Sequence, residues 1–290
     1  MTGPQAALLS DGRRLHLQHG PIDLVIEAFG ARGEVAAAYR QARERFADIL
    51  PVLVEELAAL RLPVREPRWK PAGPVARRMM NAVWPHRGVF VTPMAAVAGS
   101  VADEMMDAAV AGRTLEKAYV NNSGDISVHL EPGASLRLGI VGEIMRAEID
   151  GMALLSHDRP VRGVATSGWQ GRSWSFGIAD AVTVLAETAA AADVAATLIA
   201  NAVTVDHPAI ERAPASDMDD NTDLGDRLVT VAVGALDAAA VEAALCAGLD
   251  AAERMRADGL IAGAVLVLKG EIRAVGDVPA ALPNPASSGA

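Results

Sequence analysis

The chain has 290 residues, a formal net charge of −10, one cysteine and few aromatic residues (four Trp, two Tyr and four Phe). This length can bury a sizeable core in one large domain or two closely packed halves, and a single cysteine cannot form an internal disulfide. The acidic charge and scarce aromatic rings exclude nucleic acid as an expected partner, because phosphates attract basic surfaces and bases stack on aromatic side chains.

The N-terminal 20 residues look like a disordered extension. An aspartate and two arginines at 11–14 interrupt the stretch where a signal peptide needs a continuous apolar core. The longest late apolar stretch, 260–268, is too short to span a bilayer. The sequence therefore predicts a cytoplasmic protein with no membrane partner.

Strands and long helices alternate through the first half. A strand is predicted over 22–29, followed by a helical pattern that Pro51 interrupts. A connector with four prolines occupies 61–74, and a short basic helix surrounds Arg77 and Arg78. An alanine-rich helix over 93–112 then precedes strands around 117–121, 126–130 and 135–142.

The second half repeats this alternation. It has a strand near 161–166, an alanine-rich helix ending near Val203, a strand over 228–233 and a helix over 237–257, in which Cys246 is expected to be buried. A hairpin follows, with Lys269-Gly270 at its turn. The pattern predicts an α+β fold with helices packed on mainly antiparallel sheets, and the lack of a G-x-G-x-x-G turn disfavours a Rossmann fold.

The two alanine-rich helices align at an offset of 90 residues, which pairs Ala96 with Ala186, Ala102 with Ala192 and Asp103 with Asp193. One interpretation is an internal duplication with halves at about 21–143 and 144–277, between the extension at 1–20 and a disordered tail at 278–290. The other is that alanine-rich helices resemble one another by composition.

A carboxylate and a hydroxyl, Asp193 and Thr197, lie four residues apart in the second alanine-rich helix, on one face. Together they could bind one hard cation, and an acid among alanines needs a partner when it is buried. The alternative is an acid that caps a helix or faces a basic residue such as Arg172.

Two glycine-containing loops offer polar groups to a ligand. The first contains Asn122, Ser123, Gly124 and Asp125, which alternatively form an ordinary polar β-turn. The second offers hydroxyls, backbone N–H groups and a cation that suit phosphate oxygens. Its candidate residues are Thr166, Ser167, Gly168 and Arg172.

A histidine lies just beyond the second alanine-rich helix. His207 could act there as a base or as a ligand of an acidic group. Alternatively it is a turn or capping histidine, because Pro208 fixes a turn at this position.

Taken in order, NNSGDI (121–126), RLGI (137–140), ATSG (165–168), VTVLA (182–186) and ADVAAT (192–197) resemble the ApbE family, the FAD:protein FMN transferases. The segments GWQGRS (168–173), DHPAI (206–210) and DLGDRLVT (223–230) resemble an ApbE-like branch that lacks the family's H-x-x-D-P-x-T-G segment. The resemblance covers roughly residues 20–277.

The resemblance implies a fold of two related T-fold-like halves and a protein that binds FAD and Mg²⁺. It implies transfer of FMN from FAD to a Thr or Ser of a target protein, or cleavage of the FAD pyrophosphate. Asp193 and Thr197 match the metal-binding positions, and Asp125 and the 165–168 loop match positions near the flavin phosphates. Magnesium would neutralise the pyrophosphate charge.

Two alternatives to flavin transfer stay open. The 13 residues at 169–181, where the histidine-bearing segment would lie, contain no histidine. The chain could therefore be a non-catalytic module that binds a ligand or a partner protein. It could also act on another phosphorylated ring cofactor, such as a one-carbon pterin.

Overall fold

The protein is a mixture of helices and strands, as the sequence predicts. A computed structural model describes residues 3–141, 149–276 and 278. The strands are β1 (Gln5–Leu8), β2 (Leu15–His19), β3 (Ile22–Gly30), β4 (Leu115–Asn122), β5 (Asp125–Leu130), β6 (Ser135–Val141), β7 (Ile149–Ser156), β8 (Gly163–Ser167), β9 (Ala181–Ala186), β10 (Ile210–Pro214), β11 (Leu228–Val233), β12 (Gly263–Leu268) and β13 (Glu271–Gly276). The α-helices are α1 (Arg32–Phe46), α2 (Ile49–Glu55), α3 (Leu57–Leu60), α4 (Pro74–Val83), α5 (Val97–Val110), α6 (Ala189–Ala202), α7 (Ala215–Met218) and α8 (Ala238–Ala257), with short 3₁₀ turns at Trp84–His86 and Pro93–Ala96.

The chain forms two compact units. Unit 1 comprises Met1–Leu136, Ser156–Ala165 and Glu187–Val194. Unit 2 comprises Arg137–Leu155, Thr166–Ala186 and Ala195–Ala290. The chain therefore crosses from one unit to the other several times.

Unit 1 contains an antiparallel sheet in the order β1-β2-β3-β4-β5-β8. Along β2 and the first five residues of β3 alternate side chains are buried, and Leu15, Leu17, Leu24 and Ile26 are fully inaccessible to solvent. This period of two is what one buried face of a sheet requires. Helices α1 and α5 contribute to the same hydrophobic core, with Phe46 and Met105 among its largest fully buried side chains.

Unit 2 contains the end of β8 followed by β9, β12 and β13. Every residue of β9 is buried, and all of them except Thr183 are apolar, as a strand covered on both faces requires. Strand β10 pairs antiparallel with β11 in this unit, and β6 pairs with β7 in a separate two-stranded sheet. In helix α8, Gly248 lies against Val203 and Leu266, where an added Cβ would lie 2.3 Å and 2.7 Å from their side chains.

Most predicted elements are present. The helical pattern near Pro51 is interrupted just before this proline, which lies in the first turn of α2, where its missing N–H leaves no hydrogen bond unmade. The Lys269-Gly270 turn joins β12 to β13 with both residues at positive φ. The sequence does not predict strands β1, β2, β7 and β10.

Two expectations are wrong. The start of the chain is not disordered over its described residues, because β1 and β2 pair with each other and β2 pairs with β3. Cys246 is exposed rather than buried. The buried face of α8 contains Ala244, Leu245 and Gly248, and Cys246 points about 100° away from Leu245.

Two further sequence predictions concern the ends and the membrane. Most of the predicted tail, residues 279–290, lies outside the described residues. Among the helices that the structure describes, none combines the length and apolar character needed to cross a membrane.

Candidate functional site

The first polar loop is the tight turn between β4 and β5. Asn122 pairs with Asp125 across the hairpin, and Ser123 and Gly124 form the turn with φ of 55° and 112°. The side-chain oxygen of Asn121 accepts a hydrogen bond from Gly124 N–H at 2.8 Å, which fixes the turn. Ser123 is exposed, whereas Asn122 is buried.

Asn122 connects this turn to the start of helix α5. Its side-chain amide donates to the carbonyl oxygen of Ala98 at 3.0 Å. A buried amide requires such a partner, and here the partner lies in the first turn of the helix. The hairpin turn is therefore held beside the N-terminus of α5.

Asp193 lies at the same helix N-terminus. Its Oδ2 accepts a hydrogen bond from Gly99 N–H at 2.9 Å, and its carboxylate also accepts one from Ala98 N–H. The residue at the N-cap position of this helix, Ala96, provides no side-chain cap. Asp193 therefore satisfies two of the N–H groups that a helix start leaves unpaired. This is the capping role that the sequence left as an alternative.

Asp103, in α5, makes the reciprocal contact with the start of α6. Its Oδ1 accepts from Ala189 N–H at 3.1 Å and from the Ser127 hydroxyl at 2.8 Å, and its Oδ2 accepts from Ala190 N–H at 2.9 Å. The next N–H in α6, that of Ala191, donates to the Thr188 hydroxyl at 3.1 Å. The two alanine-rich helices thus cap each other.

Glycines permit this close packing. A Cβ added to Gly99 would lie 2.3 Å from the carbonyl oxygen of Ala189, and one added to Gly163 would lie 2.0 Å from the carbonyl group of Thr188. Both distances are far below ordinary van der Waals contact. The backbone at the start of α6 therefore fits only against residues without a side chain.

The two carboxylates share a poorly solvated environment. Burial raises the pKa of Asp193 to about 7, its two backbone N–H donors oppose the rise, and the negative charge of Asp103 adds to it. Burial also raises the pKa of Asp103, against the opposing effects of its three hydrogen-bond donors. An electropositive group beside Asp193 would favour its ionised form.

The second polar loop lies in unit 2. The hydroxyl of Thr166 lies 2.9 Å from that of Thr183, and a Cβ on Gly168 would lie 2.4 Å from the carbonyl oxygen of Asp180. The loop is therefore packed closely on the start of β9. Ser167 is partly buried and Arg172 is exposed.

The remaining candidates are Thr197 and His207. Thr197 is partly buried and follows Asp193 by four residues within α6. The Nδ1 of His207 accepts a hydrogen bond from Ala209 N–H at 3.1 Å, and the carbonyl of His207 accepts one from Ile210 N–H. These bonds correspond to the turn role that the sequence offered as the alternative for His207.

Within the described part of the chain, no group of three or more His, Cys, Asp or Glu side chains could hold a metal ion. Unit 1 brings Asp193 and the 122–125 turn to the start of α5. The sequence-based site did not include Asp103. The signal for it was its alignment with Asp193 at the 90-residue offset.

The family model described as "AbpE bacteria" matches residues 6–274. The UPF0280 protein of Methanopyrus kandleri is 34% identical over 191 residues, which cover 64% of this chain and 71% of that protein. The UPF0280 protein of Methanothrix thermoacetophila is 38% identical over 140 residues, 47% of this chain and 54% of that protein. The chain thus spans only about half the length of some relatives that it matches.

Two solved structures are similar over nearly the whole chain. The flavinyl transferase ApbE of Pseudomonas stutzeri, in its apo form, has a TM-score of 0.43 and 13% identity and covers 97% of this chain and 96% of its own. A mutant of the flavin transferase ApbE of Vibrio cholerae has a TM-score of 0.39 and 12% identity and covers 92% of this chain and 98% of its own.

Proposed function

The chain belongs to the bacterial AbpE family, within the ApbE-like superfamily, and from that premise we propose that it is a Mg²⁺-dependent enzyme acting on FAD. The reaction would transfer FMN to a protein hydroxyl or cleave the FAD pyrophosphate. One observation supports the proposal most directly: Asp193 is a partly buried carboxylate, and a second carboxylate, Asp103, lies close enough to raise its pKa further. Such a site favours a cation.

The residues present fit a magnesium ion that arrives with phosphates. Asp193 uses two of its roughly four lone-pair sites for backbone N–H groups, so acceptor sites remain. Mg²⁺ commonly uses one or two carboxylates together with waters and substrate phosphates rather than an all-protein cage. The lack of a larger acidic cluster among the described residues is compatible with that mode.

In this proposal Asp193 and Thr197 hold the ion. When bound, Mg²⁺ would neutralise the pyrophosphate charge and stabilise the transferring phosphoryl group. The polar turn of Asn122, Ser123, Gly124 and Asp125 would contact the ligand, and its rigidity would limit the ordering needed on binding.

The loop of unit 2 stays a prediction for phosphate binding. Thr166 and Ser167 would supply hydroxyls, Gly168 its backbone N–H, and the exposed Arg172 a cation. His207 is the proposed proton-transfer residue. Because its Nδ1 accepts from Ala209 N–H, the neutral ring carries its proton on Nε2.

The test uses the full-length protein incubated with FAD and Mg²⁺. FMN, AMP and flavin bound covalently to protein are separated by chromatography and detected by fluorescence. We expect Mg²⁺-dependent product formation that Asp193→Asn reduces at least a hundredfold, about 2.7 kcal/mol of transition-state stabilisation. The matched control is Asp250→Asn, an exposed acid in helix α8, which should not change the rate.

A folded protein that neither forms these products nor binds FAD would contradict the proposal. Binding without turnover would instead support the second candidate, a non-catalytic ligand-binding or partner-binding module. The absence of histidine at 169–181 favours that candidate. Including FMN, ATP and pterins in a thermal-shift comparison, with and without Mg²⁺, tests another phosphorylated ring cofactor, because a ligand selective for the native state raises the melting temperature.

A further inference from the structure

We infer that Asp103 is a positioning residue for Asp193, and that it acts by fixing the first turn of helix α6 against helix α5. The inference rests on the proposed function only where it assigns Asp193 to a cation. The positioning itself follows from hydrogen bonds and backbone contacts within unit 1.

The first step is the attachment of α6. Asp103 accepts hydrogen bonds from Ala189 and Ala190 at the helix start, and its third partner, Ser127, lies in β5. A carboxylate that accepts from two N–H groups of one helix turn fixes both the position and the direction of that turn. The start of α6 is therefore tied to both a helix and a strand of unit 1.

The second step is that the start of α6 has little space in which to move. The backbone of residues 188–190 packs against both Gly99 and Gly163, at distances that exclude a Cβ at either glycine. Closely packed backbone cannot shift without breaking these contacts. The first turn of α6 therefore has little room to move towards either glycine.

The third step transmits this position to Asp193. Asp193 is four residues after Ala189 in the same helix, which is about one turn. One turn of helix is stiff, so fixing Ala189 and Ala190 also fixes the Cα of Asp193. Its carboxylate then reaches Ala98 and Gly99 at the start of α5.

The two aspartates differ in what remains available for a ligand. Asp103 is only 8% exposed and its oxygens already accept three hydrogen bonds. Asp193 is more accessible and accepts two. Asp103 and Asp193, which align at the 90-residue offset, therefore differ in role. The protein's own donors occupy Asp103, whereas Asp193 can still bind a cation.

The experiment measures amide hydrogen exchange of the full chain at single-residue resolution. In Asp103→Asn one acceptor oxygen becomes an NH₂ group that faces an N–H or O–H donor, so the capping bonds weaken. We expect exchange to accelerate at least tenfold at Ala189 and Ala190 and also at Ala98 and Gly99. The matched control is Asp107→Asn, an exposed acid one turn later in α5, which should leave all four amides unchanged.

A purely structural cap would change only the amides that Asp103 itself binds. Acceleration at Ala189 and Ala190 with unchanged exchange at Ala98 and Gly99 would therefore overturn the inference. If Asp103→Asn does not fold, Ser127→Ala withdraws one donor from Asp103 and leaves both helices intact. It should accelerate the same four amides about threefold, and no change at Ala98 and Gly99 would again overturn the inference.

Mg²⁺ titration of the same variants separates the inference from the proposed function. Losing a residue that orients a metal ligand typically weakens metal binding 10- to 100-fold. We expect Asp103→Asn to raise the Mg²⁺ dissociation constant about tenfold and Asp107→Asn to leave it unchanged. If the wild-type protein binds no Mg²⁺, the proposed cation site fails, whereas the exchange result still decides whether Asp103 positions Asp193.

Discussion

Replacing Gly163 with alanine tests how closely the start of α6 is packed. The new Cβ would lie 2.0 Å from the carbonyl carbon and oxygen of Thr188. Reaching an ordinary contact of roughly 3.4 Å requires a displacement of about 1.4 Å. Strand β8 cannot move freely, because Gly163 pairs with Ser127 in β5. Helix α6 would therefore move, and Asp103 would lose its bonds to the helix start.

The expected loss combines two effects. Overpacking a well-packed core costs about 1–3 kcal/mol, and each hydrogen bond to a charged group contributes about 1.5–3 kcal/mol. We expect Gly163→Ala to lower the free energy of unfolding by at least about 3 kcal/mol. Urea denaturation followed by far-ultraviolet circular dichroism measures this value.

The matched control is Gly33→Ala. Gly33 is exposed in helix α1, and an added Cβ there would meet no atom within 4 Å. Because alanine favours helix, this variant should be more stable than the wild type by about 0.5–1 kcal/mol. If Gly163→Ala unfolds within about 0.5 kcal/mol of the wild type, the close approach of β8 and α6 is refuted.

Three further predictions concern charges and caps. Burial raises the pKa of Asp193 to about 7 in the folded state, so the folded protein binds the carboxyl proton more tightly than the unfolded chain does. The contribution of Asp193 to stability therefore falls as the pH rises from about 4 to 7. The stability of Asp193→Asn relative to the wild type should accordingly increase over this range in denaturation measured at each pH, and a constant difference would contradict the burial of its charge. The side chain of Asp237 caps α8 by accepting a hydrogen bond from Ala240 N–H at 2.8 Å. Asp237→Ala removes this cap and should lower the free energy of unfolding by about 1 kcal/mol in urea denaturation. Cys246 should react with a thiol reagent in the native protein, because its side chain is exposed. Glu242→Gln should accelerate this reaction at neutral pH, since the hydrogen bond to Glu242 is the main cause of the raised pKa of the thiol. A native thiol that does not react would contradict its exposure.

Local patterns predicted the elements well. The alternating and fully apolar runs identified β3, β11 and β12, and the positive-φ turn at Gly270 followed from its lack of a side chain. Strand β1 could not be recognised, because all its residues are exposed and it therefore has no buried face to impose a pattern. The exposure of Cys246 was missed because α8 contains alanines on several faces, which obscures its buried stripe.

The candidate site was predictable in part, for a similar reason. The sequence identified Asp193 as an acid that needs a partner, but its hydrogen-bond donor at Gly99 lies 94 positions earlier in the chain. No local rule connects residues so distant. The sequence shows the offset that aligns Asp103 with Asp193. It does not show that each carboxylate binds the start of the other's helix, because that contact depends on the tertiary fold.

The mutual capping of α5 and α6 has a consequence for symmetry. Asp103 caps the helix that contains Asp193, and Asp193 caps the helix that contains Asp103, while Gly99 and Ala189 meet at the crossing. A shorter chain with only one such helix could satisfy both its acid and its helix start by pairing with a second copy about a two-fold axis. The contact is thus of the self-complementary kind that two identical elements form, and here two helices of one chain make it.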